Sequence, residues 1–347
     1  MHKVPESVTK EQYLLRSTFF YNKLKTKGYF ELFIQLQRFL AIEGNNLNWD
    51  NRSGWSISED AWNILAANGI SPGLIFVHPR IITLNPSFLR YYRSVTMIPQ
   101  KGLKTMSQVS NVEEIENGVI GIERIKSATI DKLVKTINEI ASMIITLSSG
   151  INENELQGMM FATAGTNIDG SWRNQIGAEG ERVIRSIILK ELSGHGEVSS
   201  ITEKNNAIKS IAECNVDEYV ADIDKVKYVN LTNGYSVYFA SEPDVTMYDN
   251  EGKVVGVIEI KSGLDPAGAL ERLGAMFKSF ENTLSEYPNA VTILVASCIT
   301  EEVESRLNAS MVVRQTHIMT RITSNDSEKR KFVNRLRVIM KLANRSI

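Results

Sequence analysis

Apolar residues recur at roughly helical spacing over most of the first half of the chain. Between residues 8 and 43, Leu14, Phe19, Leu24, Phe30, Phe33, Leu36, Leu40 and Ile42 carry this pattern and predict helix. Residues 44–57 (GNNLNWDNRSGWSI) have the composition of a loop. Ser58, followed by Asp60 in the first turn and by Gly69 past the end, predicts a short capped helix to Asn68. From Ile70 to Pro86, short apolar runs alternate with prolines, which predicts extended chain or turns; Pro86 then opens a helical stretch, PSFLRYYRSVTMI. The cleanest amphipathic pattern runs from Ser127 to Leu147, where Ile130, Leu133, Val134, Ile137, Ile140, Ala141, Ile144 and Ile145 share one face. Gly, Ser, Asn and Thr crowd the stretch Ser148–Gly170, which predicts a domain boundary and hence a mostly helical region 1–150 and a second domain 151–347.

Beyond residue 171 the period changes. Gly177–Leu192 predicts a helix with Gly180, Val183, Ile184, Ile187 and Ile188 inward. Residues 235–248 (YSVYFASEPDVTMY) predict a pair of strand segments, DNEGK at 249–253 a turn, and Val254–Ile260 a further strand. A helix around Pro266–Ser285, a buried strand Val291–Ala296, a strand within Val312–Ile322 and a last helix capped by Ser324 or Asn325 complete the pattern. The fold class predicted is α/β: a mixed β-sheet flanked by helices, preceded by the mostly helical N-terminal region.

Composition narrows the function. With 43% hydrophobic and 23% charged residues the chain has the makeup of a folded domain rather than a disordered one. No apolar run is long enough to span a bilayer, and the first residues lack the apolar core of a signal peptide. Cys214 and Cys298 are too few for a disulfide framework or a cysteine-rich zinc site. A cytoplasmic protein is predicted, with no membrane partner. His2, His78, His195 and His317 lie far apart and make no zinc spacing, and no phosphate-binding G-x-x-x-x-G-K-[ST] loop or G-x-S-x-G elbow is present. The net charge of −1 gives no overall basic excess. Locally basic stretches do occur, one spanning Arg80, Arg90, Arg93, Lys101 and Lys104 around Tyr91 and Tyr92, another from Lys329 to Arg345. Tyr91, Tyr92 and Arg93 suit a core or an interface better than base stacking.

The chemistry concentrates in SEPDVTMYDNEGKVVGVIEIKSG, residues 241–263. Side chains alternate along a strand, so Glu259 and Lys261 share a face while Ile258 and Ile260 take the other. The turn at 249–253 brings Asp244 alongside, so two carboxylates and an ammonium converge at one end of a sheet. Hard carboxylate oxygens suit Mg²⁺, which polarises a phosphate and acidifies bound water, and a neighbouring lysine orients the nucleophile and offsets developing charge. A Glu within the otherwise apolar VVGVIEI costs several kcal/mol unless it finds a partner or a metal. Upstream, IGAEGERVIRSI offers Glu181 or Glu179, on either border of the apolar helix face, as a third carboxylate. Arg173 and Asn174, just before that helix, suit either phosphate contact or helix capping.

Pro-Asp, then Glu-x-Lys on the next strand, with G-x-x-G-E on an earlier helix, resembles the pattern of PD-(D/E)XK nucleases. A narrower similarity covers roughly residues 70–280: NPSFLRYYRSVTMIPQKG (85–102), GTNIDGSWRNQIG (165–177), FASEPDV (239–245) and IEIKSGLDPAGALERLGAMFKS (258–279) resemble successive blocks of XcyI-type restriction endonucleases. The resemblance implies an Mg²⁺-dependent, site-specific type II deoxyribonuclease acting as a homodimer on a palindromic site in double-stranded DNA. It implies that Asp244 and Glu259 bind metal, that Lys261 assists the attacking water, and that Glu181 is an outer metal contact. Arg272 and Lys278, on the helix after the Glu259 strand, are implied DNA contacts, with Arg173, Asn174, Arg93 and Lys101 as further candidates. Residues 1–150 then supply DNA recognition and dimerisation, and 151–347 catalysis. Two other readings fit the same residues: a repair or defence nuclease without strict specificity, and a DNA-binding module in which Asp244, Glu259 and Lys261 form a structural ion-pair cluster.

Overall fold

A computed structural model describes residues 6–120, 124–148, 151–263 and 269–343 of the chain. It divides into two compact units, Leu15–Trp172 and Arg173–Ile347 with Met1–Leu14. The division falls inside a single helix, Glu153–Gly194, which overrides the loop composition of residues 153–170. Glycine in a helix interior costs roughly 0.5–1 kcal/mol relative to alanine, yet Gly158, Gly165 and Gly170 are all helical. Burial outweighs that cost. Leu156, Met160, Ala164, Ile168 and Trp172, each four residues from the next, are buried in the first unit, and Ile184, Ile188, Leu189 and Leu192 in the second.

The unit Leu15–Trp172 is helical. Helices Glu6–Thr26 and Tyr29–Glu43 replace the single run predicted over 8–43, separated at Gly28, whose φ of 71° is left-handed. Ser58 Oγ accepts from the Ala61 amide at 3.2 Å, so the predicted cap of helix Glu59–Ala67 forms. The segment 70–86 differs from expectation. Its prolines start short helical turns, Pro72–Leu74 and Pro79–Leu84, since the missing N–H costs nothing at a first helical position. Helix Ser127–Ser148 buries Ile130, Leu133, Val134, Ile137, Ala141 and Ile145, as its periodicity predicts. Asn138 on that helix is also buried, its side-chain amide bonding both the N–H and the carbonyl of Val77 at 2.7 and 2.9 Å. Tyr91 and Tyr92 are fully buried, and their hydroxyls donate to the Leu74 and Gly73 carbonyls. They are core residues.

The second unit carries an eight-stranded mixed sheet flanked by helices, the class predicted. Its strands are β1 (Val198–Glu203), β2 (Ile208–Ser210), β3 (Val226–Leu231), β4 (Ser236–Phe239), β5 (Val245–Tyr248), β6 (Val254–Lys261), β7 (Val291–Ala296) and β8 (Gln315–Ile318). Their order is β2-β1-β3-β4-β5-β6-β7-β8, antiparallel as far as β6 and parallel from β6 through β8. The parallel strands alternate with helices Ala269–Glu286 and Glu301–Ala309, as parallel crossovers require. On one face, Val245, Met247, Ile258, Ile260, Ile293 and Val295 pack with Ile184 and Ile188 of the long helix and with Phe332 and Leu336 of the last one. On the other, Val257, Leu294 and Ala296 pack with Leu273, Met276 and Phe280. Asn325 caps helix Asp326–Ile339, accepting from the amides of Ser327 and Glu328. The sequence pattern does not predict strands β1, β2 and β3; β2 is exposed throughout, and β1 alternates only weakly. Among the described residues no helix is long and apolar enough to cross a membrane.

Candidate active site

The site is built where β5 and β6 leave their ladder. The last antiparallel pair is Val245 with Ile258, so the next positions outward, Asp244 and Glu259, stand opposite each other on one face. The turn between the strands sets this register: Asp249 Oδ1 accepts from the amides of Glu251 and Lys253, and Gly252 adopts a φ of 77°. In the parallel register Glu259 and Lys261 align with Leu294 and Ala296, on the face covered by helix Ala269–Glu286. Ile258 and Ile260 point into the opposite core, as alternation predicts.

Asp244 and Glu259 are 5% and 4% exposed, so both carboxylates have lost nearly all contact with water. Lys261 Nζ lies 2.6 Å from Glu259 Oε2 and 3.8 Å from Asp244 Oδ2. Asp244 Oδ2 accepts from the Ile260 amide at 2.6 Å, tying the aspartate to the strand that carries the other two groups. Ser279 Oγ donates to Glu259 Oε1 at 2.6 Å. Burial pushes the Asp244 carboxyl up to about 7, opposed by the Lys261 ammonium and reinforced by the negative charge of Glu259. Two acidic groups thus share one ammonium in a desolvated corner. This donor set of carboxylate oxygens fits a hard divalent cation, which supplies the missing positive charge.

Glu181 is the helix carboxylate that faces this corner, and its charge also raises Asp244. Its Oε2 is held at 2.7 Å by Arg185 Nη2. Glu179, by contrast, is exposed and pairs with Arg182. Among the described residues no three His, Cys, Asp or Glu side chains converge as a metal-binding group. The helix reaches the sheet closely because residue 180 is glycine: a Cβ there would collide with the Ser262 side chain, whose Oγ donates to the Ile176 carbonyl. The G-x-x-G-E string therefore marks a close approach in mid-helix rather than a helix start.

The outlying candidates separate by environment. Arg173 and Asn174 are exposed within the long helix, and with no helix terminus there, the capping role is excluded. Lys278 is exposed on helix Ala269–Glu286, and the side chain of Arg272 lies outside the described residues. Lys101 is exposed near the start of helix Gln100–Ser107. Arg93 is a correction. It is 3% exposed, with its guanidinium on the Glu116 carboxylate and the Ile98 carbonyl, so it ties the helical core together and is not presented to phosphate.

Two residues at the site escaped sequence reasoning. Ser279 carries no signal, because only tertiary packing brings it over Glu259. Arg185 had one: it lies four residues after Glu181, the spacing at which helical side chains meet.

The XcyI restriction endonuclease family model matches residues 50–343. The type II restriction enzyme Cfr9I of Citrobacter freundii is 27% identical over 228 residues, a segment covering 62% of this chain and 62% of that protein. The chain thus spans somewhat less than two thirds of the length of this curated relative. With a match over most of the sequence and the Asp–Glu–Lys corner inside it, the chain belongs to the XcyI restriction endonuclease family.

Proposed function

We propose that the protein is a type II restriction endonuclease that hydrolyses phosphodiester bonds of double-stranded DNA at a specific, palindromic site with Mg²⁺, as a homodimer. The observation that carries this reading is the meeting of Asp244, Glu259 and Lys261 on one face at the end of β5 and β6, in a chain of this family. Asp244 and Glu259 would hold the cation, with Glu181 beside them. The metal, when bound, polarises the scissile phosphate and lowers the pKa of a coordinated water.

The chain's own residues supply the rest. Lys261 places an ammonium within hydrogen-bond reach of Glu259, where it orients the attacking water and offsets the charge that builds on the phosphate oxygens. The water oxygen forms a new P–O bond, one ester P–O bond breaks, and the leaving oxygen is protonated. The Ile260 amide and Ser279 hydroxyl hold the two carboxylates in place, so little reorganisation is needed at the moment of reaction. A palindromic site has two related strands, and two copies of the chain place one such corner on each. Exposed Arg173, Asn174, Lys278 and Lys101, together with Arg272, are proposed to meet DNA.

Digestion of a sequenced plasmid by pure protein, with and without Mg²⁺, tests the proposal. Discrete fragments in Mg²⁺ and intact DNA in chelator are expected. A smear would mean a nuclease without sequence preference. Intact DNA in both conditions, from folded protein, would leave the three residues as a structural ion-pair cluster.

A further inference from the structure

We infer that Arg185 is a positioning residue that sets Asp244 for metal binding by clamping the connection between β4 and β5. The inference rests on the nuclease reading above and assigns a task to a side chain that reading does not use. Arg185 is 8% exposed, and its guanidinium lies over the Phe239 ring at 5.7 Å from the centroid. Among the described residues a single nitrogen, Nη2, makes its three polar contacts: 2.6 Å to the Ala240 carbonyl, 3.2 Å to the Asp244 carbonyl and 2.7 Å to Glu181 Oε2. Nε is buried without a hydrogen-bond partner. Burying a guanidinium while leaving one donor unused is costly. Two of the bonds that offset this cost go to the backbone of the segment that delivers Asp244.

The geometry explains why such a clamp is needed. Asp244 lies one residue beyond the last ladder pair, so no strand partner fixes its backbone. Among the described residues its carbonyl otherwise accepts only a 3.3 Å bond from the Ala240 amide. The Ile260 amide holds the carboxylate end of the residue and Arg185 holds the backbone end. Together they fix the direction in which the carboxylate points. In this arrangement Glu181 acts first as the counter-ion that keeps the guanidinium in place.

The test is Mn²⁺ binding to the full chain by calorimetry, alongside the single-turnover cleavage rate and DNA affinity in Ca²⁺. The lysine ammonium ends one bond short of the Nη2 position, so it does not reach both carbonyls. R185K is expected to weaken Mn²⁺ binding by about tenfold and slow cleavage by roughly 10–100-fold, with DNA affinity within about twofold of wild type. E181Q still offers an acceptor oxygen to Nη2 and is expected to weaken Mn²⁺ binding only about threefold, far less than E259Q. The clamp is overturned if folded R185K binds Mn²⁺ and cuts like wild type. It is equally overturned if E181Q loses Mn²⁺ as fully as E259Q, because Glu181 is then a direct ligand and Arg185 merely its partner; this second result decides even if R185K does not fold. A wild-type protein that neither binds Mn²⁺ nor cuts DNA overturns the nuclease reading as well.

Discussion

Each of the two units buries a charged cluster, and the clusters differ in balance. In the helical unit, Arg93 faces Glu116 one to one, with the guanidinium also on the Ile98 carbonyl and Gln100 donating to the same carboxylate. In the sheet unit, among the described residues, Asp244 and Glu259 share the one ammonium of Lys261, and burial drives the aspartate up to about 7. A balanced, fully bonded pair is an end in itself. An unbalanced one, at the ends of β5 and β6, is short of positive charge, which an additional cation would supply. Buried charge alone therefore does not single out a functional site, and surplus charge of one sign is the better guide.

The two clusters part most sharply at Glu259. E259A is expected to lower the cleavage rate by about 10³-fold while DNA still binds, measured by plasmid cleavage and by gel shift in Ca²⁺. In the helical unit the large effect is on stability instead. R93M, which strands a buried Glu116, is expected to cost about 3–5 kcal/mol in urea denaturation, and R93M with E116L to recover most of it. No such apolar repair exists for the corner of the sheet: E259L with K261M should fold and never cut.

A smaller effect sharpens the view of how the unbalanced cluster is held. S279A removes the hydroxyl that bonds Glu259 Oε1, and a roughly tenfold loss of Mn²⁺ affinity is expected by calorimetry. The smallest effect is on pH dependence. Asp244 moves from an ordinary 3.8 to about 7 in the folded state, so folding favours its protonated form. Its contribution to stability is complete below about pH 4 and is lost as the pH rises through about 7. Metal-free protein should accordingly melt lower at pH 8 than at pH 6 from this group, and D244N should flatten that slope. An unchanged slope in D244N would assign the effect to other groups.

Much of the site was legible because it depends on short-range rules. Alternation along β6 put Glu259 and Lys261 on one face, and the Asp249–Lys253 turn, with its side-chain bonds and left-handed Gly252, brought Asp244 opposite. The Ser58 and Asn325 caps and the helix Ser127–Ser148 follow from equally local signals. The misses share a different cause. Strands β1 to β3 owe their place to pairing with one another, which weakly alternating sequences do not announce. The helix Glu153–Gly194 runs through glycines that read as a loop, because burial in two cores outweighs their propensity.

Residue order alone determined the family, the fold class and the three groups at the corner, since periodicity and turn chemistry act over a few residues. Only the tertiary structure decided that Arg93 is interior, that Ser279 holds Glu259, and that Glu181 answers to Arg185. Those partners lie on other elements or other turns, and burial, which sets the cost of each charge, exists only once the chain has packed.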